Sequence, residues 1–155
     1  MEFPENNAEK TWTKEGITYS IVSHKFGHYC GYARFSKRPT KTDGYNGILT
    51  YVPVHGGITY ARSGEGGSMV YGFDCNHAGD EGNPRLKSMD WICSECERMA
   101  RAILATVSIE DEYLLAEGDN EKRADIIQKY HDDLGIRFDV KNNFGAMINL
   151  ISGSI

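Results

Sequence analysis

Long apolar runs are missing from this chain. None approaches the roughly 20 residues that a bilayer-crossing helix needs, so a membrane-spanning helix is not expected. A basic excess is missing too. Lys and Arg total 17 against 22 Asp and Glu, a net charge of −5, which argues against nonspecific binding to nucleic acid or to an anionic membrane. A small anionic ligand in a local basic pocket remains compatible with that balance. Cysteine is sparse: Cys30, Cys75, Cys93 and Cys96 are too few in 155 residues for a disulfide scaffold, and reduced thiols or metal ligands are expected instead. The start, Met1-Glu2-Phe3-Pro4-Glu5, lacks the basic and apolar regions of a secretory signal, so a cytoplasmic location is the expectation. Two nucleotide and hydrolase signatures are also lacking. Gly64 to Gly67 has no Lys-Ser/Thr ending of a P-loop, and Ser63-Gly64-Glu65-Gly66 is not the Gly-x-Ser-x-Gly elbow of a serine hydrolase.

Apolar and charged fractions are ordinary, and 155 residues suffice for one domain with its own core. Residues 1–80 hold most of the Gly, Tyr and Thr and read as β. Ile17, Tyr19 and Ile21 alternate with Thr18, Ser20 and Val22, the period of a half-buried strand. Residues 28–35 read as its return strand, and 48–54 as a third strand with Pro53 near its end. Gly56-Gly57 turns the chain into 58–61, and 69–73 is a further strand. Between the second and third strands, 36–47 reads as a basic loop.

The second half reads as helical. Ser88 is a candidate N-cap, and Ile92, Cys96, Met99, Ile103 and Val107 follow at helix spacing. Ser108 with Asp111 resembles a capping box for a short helix closed by Gly118. Asn120 is placed to cap a third helix through Leu134, with Gly135 after it. Ile136, Phe138 and Val140 suggest a last short strand, and the tail from Phe144 to Ile151 is apolar enough to pack on the core or on a second subunit as a homo-oligomer contact. The expectation is a single α+β domain over 1–155: a twisted, mainly antiparallel sheet from the first half, packed by two or three helices from the second.

Chemistry-bearing groups concentrate in 72–80, Gly-Phe-Asp-Cys-Asn-His-Ala-Gly-Asp, directly after the last strand of the first half. Asp74, His77 and Asp80 put an imidazole between two carboxylates, a pattern that suits a general base with a fixed tautomer or a divalent-metal site. The competing reading is that the carboxylates cap turns and the imidazole is a structural hydrogen-bonding group. His55-Gly56-Gly57 follows another strand-like run. Its two glycines allow backbone N–H groups to approach an anion, although Gly-Gly is equally common in plain turns. Cys75, His77, Cys93 and Cys96 form a minority zinc reading. The zinc-deaminase pattern fails, because His77 and Gly79 stand where its Glu is required and Ile92 where its Pro is. Cys93 and Cys96 also fall on the apolar side of their helix, which favours packing. Arg34, inside a strand, and Tyr60 are candidates to contact an anion and stack on a base; tyrosines in strands more often pack.

The blocks Gly27-His28-Tyr29-Cys30-Gly31-Tyr32, Val54-His55-Gly56-Gly57-Ile58-Thr59-Tyr60-Ala61 and Gly72 to Asp80, in that order, resemble a family of uncharacterised bacteriophage and prophage proteins. The likeness covers roughly residues 24–105, including Cys96-Glu97-Arg98-Met99-Ala100, and has no counterpart from about 106 onward. It implies a phage protein acting in the host cytoplasm, and small phage proteins of this kind include anti-defence factors that bind or degrade host nucleotide signals. The functional expectation is a small hydrolase acting on a nucleotide-like or other phosphorylated small molecule. His77 is its general acid/base, Asp74 or Asp80 the orienting partner or ligand of a divalent metal, His55 a second polar group, and Gly56, Gly57, Arg34 and Tyr60 the ligand contacts. The alternative is a non-catalytic protein that sequesters such a nucleotide or inhibits a host protein.

Overall fold

A computed structural model of the protein describes residues 4–24, 27–42, 44–76, 80–136 and 140. The fold is α+β. Strands β1 (Lys10–Lys14), β2 (Ile17–Ser23), β3 (Tyr29–Phe35), β4 (Tyr60–Ser63) and β5 (Met69–Asp74) form one sheet in the order β1-β2-β3-β5-β4, with every pairing antiparallel. Helices α1 (Met89–Thr106), α2 (Glu110–Leu115) and α3 (Asn120–Asp133) follow. Among the described residues no helix is long and apolar enough to cross a membrane.

Strand parity decides what each face of the sheet carries. On one face, Ile17, Tyr19, Ile21, Ala33, Phe35, Tyr71 and Phe73 pack with Ile92, Cys96, Met99 and Ile103 of α1 in a single apolar cluster. Burying each large aliphatic side chain there stabilises the fold by about 1.5–3 kcal/mol. Gly31 lets α1 approach: a Cβ at that position would lie 2.6 Å from Cys96 Sγ and 2.6 Å from the Phe73 ring. The opposite face carries Cys30, Tyr32, Arg34, Val70, Gly72 and Asp74, the alternate positions of β3 and β5. There the Tyr32 ring covers Gly72, taking the space a side chain would need.

Strand β1 has no counterpart in the expected pattern. Lys10-Thr11-Trp12-Thr13-Lys14 offers a single apolar residue, too little for a period to show. Trp12 stacks on Tyr19 at 5.1 Å and its indole N–H donates to Glu97 of α1 at 3.1 Å. The flanking lysines suit a sheet edge, where charge discourages further pairing. The β1–β2 turn has positive φ at Glu15 (53°) and Gly16 (81°), the backbone of a two-residue hairpin turn.

The expected strand over 48–54 is instead a 3₁₀ turn, Gly47–Tyr51, followed by an irregular extended stretch. Ile48, Leu49, Val52 and Val54 are all buried, so the run has no polar alternation and its period cannot separate strand from helix. Pro53 also lacks the N–H a sheet ladder would use. The turn joins two cores. Leu49 packs in the sheet–α1 cluster, and Ile48 packs with Tyr113, Ala116, Ala124, Ile126, Ile127 and Val140 around α2 and α3.

Ser88 caps α1, its Oγ accepting from the Trp91 N–H at 3.3 Å. Val107, expected on the apolar stripe, is half exposed at the C-terminal cap. The capping box at Ser108 and Asp111 does not form. Ile109 holds the cap position without a side-chain bond, and the Ser108 hydroxyl donates back to the Ala105 carbonyl at 3.5 Å. The α3 cap is Asp119 rather than Asn120, accepting from the Lys122 N–H at 3.0 Å. Gly118 and Gly135 do follow their helices with φ of 85° and 80°. The apolar tail from Phe144 to Ile151 lies outside the described residues, as do Phe138 and most of the expected final strand.

Candidate functional site

His55 leaves the buried stretch after the 3₁₀ turn and is itself almost fully buried, at 1% exposure. Gly56 (φ 72°) and Gly57 (φ 76°) fold the chain back directly behind it, a conformation that favours glycine. The Gly57 N–H donates to the Val54 carbonyl at 2.8 Å, so that amide closes the turn rather than facing an anion. Three elements then fix His55. Its backbone N–H donates to Glu95 Oε2 on α1 at 2.8 Å. Its ring meets Trp91 edge to face at 5.9 Å. Its Nε2 lies 3.0 Å and 3.1 Å from the two carboxylate oxygens of Asp80. An ionised carboxylate only accepts, so Nε2 carries the proton and donates it.

Glu95 is buried on the apolar side of α1, between Ile92 and Met99. Arg98 grips it with Nε at 2.8 Å and Nη2 at 3.1 Å, a two-point fork that offsets the cost of removing the charge from water. Asp80 opens a 3₁₀ turn, Asp80–Gly82, and is 7% exposed. Beyond it lies a cavity of about 410 Å³, lined also by His28, Cys75, Asn76, Asn83, Leu86 and Lys87. The carboxylate therefore has a buried imidazole on one side and a polar cavity with a cationic amine on the other. That arrangement can orient a carboxylate as a proton acceptor for a water or hydroxyl in the cavity.

The structure brings His55 and Asp80 together across 25 residues of sequence. Among the described residues, it does not bring Asp74, Arg34 or Tyr60 to them. Asp74 ends β5 on the face opposite α1, where its Oδ1 accepts from the Asn76 N–H at 3.0 Å in a local turn. Arg34 and Tyr60 are on that same opposite face. Arg34 pairs with Val70, and Tyr60 pairs with Gly72 with its ring 5.2 Å from that of Tyr32. His77 lies outside the described residues.

The thiols behave as packing groups. Burial pushes Cys75 up to about 12, with Cys30 and Asp80 adding to the shift. Cys96 is raised further, again chiefly by burial, and Cys30 is raised by burial and by Asp74. None of these three is poised as a thiolate nucleophile. Among the described residues no three His, Cys, Asp or Glu side chains converge as a metal cage, so Cys75, Cys93 and Cys96 do not form one between them.

Glu95, Arg98 and Trp91 were not singled out by sequence reasoning. A signal existed for Glu95: helix phase puts a carboxylate inside an otherwise apolar stripe, and unpaired acidic residues are almost never fully buried. No family model, curated protein or solved structure matches the chain.

Proposed function

We propose that the protein is a small hydrolase acting on a nucleotide-like or other phosphorylated small molecule, with its reaction centre at the Asp80 cavity. The observation that carries this reading is the Asp80 carboxylate, tied to His55 through both oxygens while lining a 410 Å³ cavity. In the reaction, Asp80 accepts a proton from the attacking water. His55 is a positioning residue that holds the carboxylate through its Nε2. Lys87 and His28, also on the cavity wall, are the donors for a phosphate. His77, three residues before Asp80 in the chain, is retained from its sequence pattern as the acid that protonates the leaving group. The resemblance of the 24–105 blocks to phage proteins supports a phage-encoded role in the host cytoplasm, acting on a nucleotide signal of host defence.

The test is a turnover screen over cyclic and linear nucleotides and sugar phosphates, comparing the wild-type protein with Asp80→Asn and His77→Ala. General-base loss of this kind costs on the order of 100-fold or more in turnover. Both variants are expected to fall that far against the substrate found, with unchanged circular dichroism. Equal turnover in Asp80→Asn contradicts the assignment. A nucleotide recovered intact after denaturation, with no turnover by the wild type, supports the sequestering alternative.

A further inference from the structure

A second cavity, of about 340 Å³, lies on α1 and is lined by Arg85, Trp91, Ser94, Glu95, Arg98 and Arg101. Trp91, Ser94, Arg98 and Arg101 are spaced by three, four and three residues, which aligns them as one stripe along the helix. Arg85 reaches the same cavity from the 3₁₀ turn Pro84–Lys87 that precedes α1. The cavity thus gathers three guanidiniums in a chain whose net charge is −5. The single carboxylate in the lining, Glu95, is already bound by Arg98 and by the His55 N–H. Glu97, one turn before Arg101, is bound by Lys14 Nζ at 2.9 Å and by the Trp12 indole at 3.1 Å, with the Arg101 charge also acting on it. Arg85 and Arg101 are exposed, and Glu97 is shared between Arg101 and Lys14.

We infer that this cavity is a binding site for a nucleoside polyphosphate, separate from the Asp80 centre. Guanidiniums supply the planar donors that match phosphate oxygens. The indole supplies the flat surface on which a base stacks. The helix sets their separation: Trp91 and Arg98 are seven residues apart, about 10 Å along the axis, and Arg101 lies about 5 Å further. That is the layout of a ligand with a base at one end and several phosphates at the other, and a single phosphate would leave Trp91 unused. A concave site with one aromatic wall also suits a small molecule better than a flat acidic protein surface. The inference stands whether or not Asp80 performs catalysis.

Isothermal titration with ATP and with inorganic triphosphate tests it on the full chain. ATP is expected to bind more tightly than triphosphate by roughly tenfold, the stacking contribution. Arg85→Gln combined with Arg101→Gln should weaken both probes at least about tenfold, as two charge-assisted contacts are removed. Both positions are exposed, so the double variant keeps the fold, checked by its melting curve. Trp91→Leu should remove the preference for ATP and leave triphosphate binding in place. Asp80→Asn should leave both affinities unchanged. Absence of binding at millimolar probe, or unaltered affinity in the double arginine variant, overturns the inference. Loss of binding in Lys87→Gln with the arginine variant unaffected also overturns it, by assigning the anion to the other cavity.

Discussion

The two faces of the sheet carry polar groups on very different terms. On the face covered by α1, His55, Asp80 and Glu95 are each less than a tenth exposed and are joined by hydrogen bonds of 2.8–3.1 Å. On the opposite face, Cys30, Tyr32, Arg34, Tyr60 and Asp74 are half-buried. Burial pushes the Tyr32 phenol well above its ordinary value, with the neighbouring Cys30 thiol adding to it, so it stays neutral. Half-buried polar groups keep part of their hydration and cost the fold little. A fully buried imidazole–carboxylate pair is different: similar apolar residues of the same volume would commonly be as stable or more so. The comparison teaches that the α1 side holds the arrangement that stability alone does not explain.

Removing one partner of the buried pair is the harshest way to test the contrast. His55→Ala leaves the Asp80 carboxylate buried without its imidazole and is expected to cost about 3–5 kcal/mol in urea unfolding. Tyr60→Ala on the opposite face should cost less than half as much. A second contrast uses the two glycines. Gly31→Ala drives a methyl into Cys96 and Phe73 in the packed interior and should cost about 1–3 kcal/mol. Gly72→Ala meets the half-buried Tyr32 ring, which can swing aside, and the Gly31 carbonyl oxygen at 3.0 Å, at the margin of contact, so a smaller loss is expected in the same measurement. A reversed order would show that the opposite face is the tighter one.

The smaller effects concern titration and thiols. His131 is buried, its Nε2–H donating to the Tyr51 carbonyl at 2.8 Å, and burial lowers its pKa below the ordinary 6.5. The unfolded chain therefore binds this proton first as pH falls. The stability His131 contributes is present above about pH 6.5 and is lost as pH drops toward its folded value. Melting temperature should decline between pH 7.5 and 5.5, and His131→Gln should flatten part of that decline. Iodoacetamide at pH 8 should leave Cys75 and Cys96 unmodified in the folded protein and label both after denaturation. Rapid labelling of native Cys75 would restore it as a reactive group.

Much of the fold was legible where a period was present. Strands β2 and β5, and the stripe of Ile92, Cys96, Met99 and Ile103 on α1, each had several apolar residues at one spacing. Strand β1 had only Trp12, and 48–54 is buried at Ile48, Leu49 and 52–54 with Thr50 alone exposed, so neither offered a period that local reasoning could use. The site divided along the same line. His55 and Asp80 were recognisable as reactive residue types, but their pairing depends on long-range packing. Asp74 and Asp80, close neighbours in one nine-residue block, are separated because Asp74 is the last residue of a strand and parity turns it to the opposite face. Glu95 is flanked in sequence by Glu97, Arg98 and Arg101, and its burial depends on the packing of α1 against the chain at His55.

The most direct measurement compares the two aspartates. Once the substrate is found, turnover by Asp80→Asn and Asp74→Asn is measured side by side under saturating conditions. The account predicts a loss on the order of 100-fold or more for Asp80→Asn and a change within about threefold for Asp74→Asn, whose carboxylate serves a local turn. A large loss in Asp74→Asn with Asp80→Asn fully active would contradict it and move the chemistry to the opposite face of the sheet.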